Sequence, residues 1–411
     1  MSSSSGRLAL IFSCLGHALM HMFTAMYFVI AVAMEKSGWQ SLSYAELVQL
    51  WSLGALMVGA AAIPAGWLGD RWSASGMMVV FFLGMGGSAI VCGLVGQSLA
   101  LLLGLTAIGV FAAIYHPVGI AWLVRSSEKR GRALGINGVF GVIGISVASL
   151  VAGALIDLFS WRAAFILPGV ICLASGLALL WCRQRGLVSD AVAYQHGPKT
   201  QPKRSEALRV YLILLCTMTC MGLLFQATQA ALPKHFDLRL GAGLGEGAFG
   251  LGAAVAAVYT AGGIIQVVGG YLADRMNLKR IYVAAFLFQI PVLLGLAYVG
   301  GFALLPIAAA TVLLSTGALP AENMLLARYT PDRHQGLAYG LKFVLAFGTA
   351  PLAIAAVAWV ERTTGQFELL FAAMVALAGI ATTAALLLPR GEEPLPQRTQ
   401  AAPDPQGVAA E

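Results

Sequence analysis

The residues of this sequence best able to do chemistry lie inside long apolar runs: His17, His116, Asn137, Glu322, Asn323 and Lys342. Ionisable groups are costly in hydrocarbon, so each needs a partner or a task. At 1.5 Å per helical residue, His17 lies about 15 Å beyond Arg7, and His116 about 14 Å before Arg125. Both depths are close to the middle of a bilayer. Imidazole changes charge near neutral pH, which suits a proton site or an anionic-solute site. The plainer alternative is a neutral histidine that ties two helices together. Glu322 stands six residues before Arg328, and Lys342 six after Gly336, each about 9 Å inside the same boundary. Equal depth allows an ion pair, which is how buried charges become tolerable. Such a pair is either a permanent brace or a switch opened by a proton or solute. Asn137 is placed to complete the polar layer.

A second set could line a cavity: His21, one turn beyond His17 on the same face, with Tyr115, Gln226, Gln229 and Gln266. For the glutamines and Asn323, a hydrogen bond between helices is the plainer role. Tyr27 and Tyr259 are aromatic candidates for which packing is the default. Gly-x-Ser-x-Gly, His-Glu-x-x-His and a phosphate-binding Gly-Lys-Ser/Thr loop are all absent. The six cysteines sit in or at the ends of apolar runs without paired loop spacing and read as small hydrophobes, so neither disulfides nor a metal site are expected. No cofactor is expected, and a gradient must supply the energy for any work.

The elements that must hold these residues are membrane helices. The 411 residues are 59% hydrophobic and 10% charged, with a mean hydropathy of +0.82. Runs of about 20 apolar residues span roughly 30 Å of hydrocarbon. Twelve are read, near 8–33, 44–69, 75–96, 98–124, 132–157, 161–182, 208–234, 248–272, 279–299, 302–327, 336–361 and 366–388. The fold class is therefore all-α integral membrane. A net charge of +7 raises the question of nucleic acid, but its distribution points to the lipid bilayer instead. With the N-terminus inside, 19 of the 25 Lys and Arg fall on the inner side, five outside and Lys342 within a run. That bias places both termini in the cytosol of a cell (inner) membrane protein.

Between Arg183 and Arg209 the composition turns polar, basic and proline-bearing. This divides the chain into an N-terminal six-helix half (1–182), a flexible cytosolic linker (183–207), a C-terminal half (208–389) and a disordered tail (390–411). The halves repeat. Gly66-Trp67-Leu68-Gly69-Asp70-Arg71 returns 204 residues later as Gly270-Tyr271-Leu272-Ala273-Asp274-Arg275. The glycines allow close approach of a neighbouring helix. The acids can cap a following helix or pair with arginine at the membrane boundary. Gly131-Arg-Ala133-Leu-Gly135-Ile-Asn137 matches Gly336-Leu-Ala338-Tyr-Gly340-Leu-Lys342, making Asn137 the counterpart of Lys342.

The repeated Gly-x-Leu-x-Asp-Arg motif resembles the loop between the second and third helices of the major facilitator superfamily. Tyr115-His116-Pro117, Arg125, Gly131, His17 and Leu345-Ala-Phe-Gly348 are similar to the fosmidomycin-resistance-type exporter branch. The resemblance implies two pseudo-symmetric six-helix halves around a central cavity, a small-molecule solute and a proton as coupling ion. It also implies a gating role for Gly66, Asp70, Arg71, Gly270, Asp274 and Arg275. Export leads, uptake of a metabolite is the alternative, and a membrane-embedded enzyme or receptor of the same fold is a third reading. A monomer is expected. The chain departs from the pattern where Trp72-Ser-Ala-Ser-Gly76 lacks a basic cluster, and where His21 stands in place of an acid.

Overall fold

The computed structural model describes residues 4–127, 130–188, 190, 204–330 and 335–389. The tail (390–411) and most of the linker lie outside the described residues, so those expectations have no structural counterpart. The first helix is Ser4–Lys36, and the second is the bent pair Tyr44–Ala60 and Ala62–Arg71, angled by 40°. The third to sixth are Ala74–Leu94, Ser98–Ser126, Arg130–Leu158 and Trp161–Gln184. The seventh to ninth are Arg204–Leu240, Phe249–Arg275 and Leu278–Tyr298. The tenth joins Leu304–Gly317 to Leu319–Tyr329, the eleventh Gln335–Gly348 to Ala350–Thr364, and the twelfth is Glu368–Leu386. Among the described residues eleven are long and apolar enough to cross a membrane, and the bent pair makes the twelfth.

Among the described residues four spans break just before a proline, and the second also loosens at Leu50–Trp51 with no proline near. The second breaks at Ala61 before Pro64, the fourth at Ala113 before Pro117, the tenth at Ala318 before Pro320, and the eleventh at Thr349 before Pro351. Proline has no N–H for the carbonyl four residues back and crowds it, so the turn before it opens. In the fourth span the opening is a widened turn, Tyr115–Gly119, that carries His116. Pro168, Pro233 and Pro291 interrupt no helix, so proline alone does not decide.

The halves meet where the first helix packs on the seventh, the fifth on the eighth, and the second on the eleventh. At the face away from the termini, polar contacts join them. Lys234 pairs with Glu35, and Lys36 with Asp237. The Tyr44 hydroxyl donates to the Ala230 carbonyl at 2.5 Å. Asp157 accepts from the backbone N–H groups of Ala248 (2.7 Å) and Phe249 (2.8 Å), at the start of the eighth helix. The seventh helix runs to Leu240 rather than ending near 234 because Lys234, Asp237 and Arg239 all find partners on this extension.

At the terminus-bearing face, the linker does not begin freely. Asp190 accepts from the Ser73 hydroxyl at 2.5 Å and the Ser75 N–H at 2.8 Å, at the start of the third helix. Burial pushes its carboxyl up, but these hydrogen bonds and nearby Arg183 outweigh that and hold it below the usual range.

Candidate functional site

Each half carries a buried polar cluster built on residues that the sequence singles out. In the N-terminal half Asn137 is the hub: its Nδ2 donates to the Tyr115 hydroxyl at 2.8 Å and to Ser13 Oγ at 3.2 Å. Its backbone carbonyl accepts from His17 Nδ1 at 2.8 Å. The His17 ring stacks on Tyr115 with centroids 4.8 Å apart. Gly141 makes room for it, since a Cβ there would stand 2.5 Å from His17 Cε1. His21 lies 4.9 Å from His17, ring to ring, and His116 lies 5.4 Å from both. His116 also stacks on Phe343 (4.6 Å) and Phe347 (5.4 Å) of the eleventh helix, across the interface between halves. Both His116 nitrogens are buried with no hydrogen-bond partner among the described residues.

In the C-terminal half Lys342 Nζ lies 2.7 Å from Glu322 Oε1, and it donates to Asn323 Oδ1 at 2.5 Å. Glu322 is 2% exposed and Lys342 7%. The Tyr282 hydroxyl donates to Glu322 Oε2 at 2.7 Å and lies 2.9 Å from Thr217 Oγ1. Lys342 and its repeat counterpart Asn137 are thus the hubs of the two networks.

A narrow cavity of about 20 Å³ lies between the halves, lined by His21, Gln226 and Gln229 among others. Gln226 donates to the Ala346 carbonyl at 3.2 Å, which makes it partly a helix tie. The Gln266 side chain lies outside the described residues. Tyr27 is fully buried and donates to the Leu47 carbonyl at 2.6 Å, a packing role. Tyr259 is buried, and its hydroxyl has no hydrogen-bond partner among the described residues.

At the repeated motif, Asp70 accepts from Arg125 at 3.2 Å. The following helix is capped by Ser73, which accepts from the Gly76 N–H, and not by Asp70. Arg71 lies over the Trp67 ring at 4.2 Å, and Arg275 over Tyr271 at 3.5 Å, so both copies set the arginine on the aromatic one turn before it. The Asp274 side chain lies outside the described residues. A Cβ on Gly66 would meet Pro117 at 3.1 Å, as close approach requires. Gly270 corrects the expectation, because a Cβ there would meet nothing within 4 Å. One residue is about 100° of helix rotation, and the contact passes to Gly269, whose Cβ would stand 2.5 Å from the Gly317 carbonyl.

Sequence reasoning missed Tyr282, Thr217, Phe343, Phe347 and the lattice of Glu35, Lys234 and Asp237. The three charges were visible near helix ends, but partners about 200 residues apart leave no local signal.

Comparison with known proteins completes the picture. No curated protein matches the chain. A bacterial homologue of the human lysosomal transporter Spinster, solved inward-facing and occupied, superposes with a TM-score of 0.70 at 15% identity, over 94% of this chain and 96% of that one. The peptide transporter POT in complex with sulfate gives 0.74 at 15% identity, again over 94% and 96%. At that identity the likeness is one of fold. The sequence model of the Major Facilitator Superfamily matches residues 13–341 and, overlapping, 259–410. With its helix count and paired halves, the chain belongs to the Major Facilitator Superfamily and is a multi-pass membrane transporter of a solute.

Proposed function

We propose that this transporter moves a small organic solute against its gradient by coupling to protons, exposing one central cavity to alternate sides of the membrane. The observation that supports this is a cluster of buried ionisable groups in each half: three histidines in one and Glu322–Lys342 in the other. A buried carboxylate–ammonium pair is stable while both partners are charged, and protonation of Glu322 releases Lys342. Export is favoured by the resemblance of Tyr115-His116-Pro117 to the exporter branch. We place the terminus-bearing face in the cytosol, from the distribution of Lys and Arg. The working unit is a monomer of two six-helix halves. The direct test is a solute panel screened by thermal shift in the presence of a metal chelator, since binding to the native state raises the melting temperature. A hit must then accumulate in liposomes when a pH difference is imposed, and movement indifferent to that difference would remove the proton.

In this orientation the lattice of Glu35, Lys36, Lys234 and Asp237 closes the outer face and must open during transport. Lys234→Met is expected to favour the outward-open state. An Ala33→Cys reporter in the outer cavity should then react about tenfold faster with an impermeant maleimide, the change that roughly 1.4 kcal/mol produces. An unchanged rate would mean the lattice is not the outer closure.

Asp70 and Arg125 join the ends of the second and fourth spans at the opposite face. Asp70→Asn should slow turnover and leave solute affinity nearly intact, because the contact is remote from the cavity. Lost affinity at normal turnover would exclude a gating role.

A further inference from the structure

We infer that His17, His21 and His116 form a binding site for a borderline-soft divalent metal ion such as Zn²⁺, with one coordination position open to the cavity. One nitrogen from each ring lies within 4.8 Å of the others. In a tetrahedral site with bonds near 2.0 Å the donors stand about 3.4 Å apart, so small ring rotations close the set. His17 is already oriented for the task. Its Nδ1 donates to the Asn137 carbonyl, which fixes the tautomer and leaves Nε2 as a free lone pair, as outer-shell partners do for metal-bound histidine. His116 supports the same reading from the other side, since a buried imidazole with two unused nitrogens requires an explanation. His21 is the ring that lines the space between the halves, so an ion held by three neutral imidazoles keeps its fourth position toward that space. Three histidines with an open position are a recurrent zinc arrangement. The set has no carboxylate, so it selects against hard cations such as Mg²⁺ and Ca²⁺, which take oxygen ligands.

This site lies beyond the transport reading and does not depend on it. A metal ion and protons compete for the same imidazole nitrogens, so loading expels any proton held there. The sequence sets His17 and His116 at similar depth and His21 one turn from His17, but it does not show that the three rings converge, because His17 and His116 are 99 residues apart and meet through the widened turn of the fourth span.

The test uses the full chain without a polyhistidine tag, stripped with chelator and titrated with Zn²⁺ by calorimetry in detergent. One ion per chain is expected, with no heat from Mg²⁺. His21→Asn and His116→Asn should each weaken binding tenfold or more while the melting temperature of the metal-free protein stays close to that of the parent. Co²⁺ provides a reading that needs no variant: bound here it must give the intense visible bands of a low-coordinate, nitrogen-ligated ion. No Zn²⁺ heat, binding unchanged in both variants, or a weak aquo-like Co²⁺ spectrum would each overturn the site. Because the solute screen is run with chelator present, failure here leaves the transport reading standing, and failure there leaves this one.

Discussion

Glu322→Gln is expected to lower the stability of this transporter and abolish solute accumulation together. The substitution leaves the Lys342 ammonium buried opposite a neutral amide, and removing one partner of a buried pair costs about 3–5 kcal/mol. The Asn323 carbonyl remains as an acceptor for Lys342, which sets the expected loss at the lower end. Tyr282 also exchanges an anionic acceptor for a neutral one, a weaker hydrogen bond. Lys342→Met in the same chain removes the stranded charge and should recover most of the melting temperature. It should not recover accumulation, because the group that accepts and releases the proton is gone. A double-mutant cycle on melting temperature and transport separates these effects. If the double variant accumulated solute as the parent does, the pair would be a brace and not a switch.

His116→Gln should show the opposite balance, with little lost stability and a large functional effect. Neither imidazole nitrogen has a hydrogen-bond partner among the described residues, so the fold loses none when the ring is removed. What it loses is ring packing, chiefly the stacking against Phe343 and Phe347, worth about 0.5–1.5 kcal/mol per aromatic pair, with edge contacts to His17, His21 and Tyr115. The expected result is a nearly normal melting temperature with gradient-driven accumulation reduced at least tenfold, while downhill exchange persists. A variant whose stability fell as far as that of Glu322→Gln would instead give His116 a packing role.

The membrane helices were legible because lipid imposes length and apolarity on each span. The halves were legible because the chain repeats its boundary motif and the surroundings of Asn137 and Lys342. Depth counting works for groups on consecutive helices, so Glu322 and Lys342 could be paired from spacing alone. It carries no azimuth, and azimuth decides the rest. Tyr282 and Thr217 are single polar residues in apolar runs, and only helix packing turns them toward Glu322. His21 shared a helix face with His17 in the sequence, but it became one of three converging rings only when Pro117 opened the fourth span. Gly270 failed for the same reason: the repeat preserved the glycine while a rotation of one residue gave the contact to Gly269.

Uphill and downhill movement of one solute, measured in liposomes with an imposed pH difference, tests proton coupling through the buried clusters most directly. The parent chain should concentrate the solute and stop when the pH difference is collapsed. His116→Gln and Glu322→Gln should each fail to concentrate it, yet still equilibrate solute between the two sides. Variants that accumulate solute as well as the parent, under the same pH difference, would take both residues out of the coupling step and contradict the mechanism.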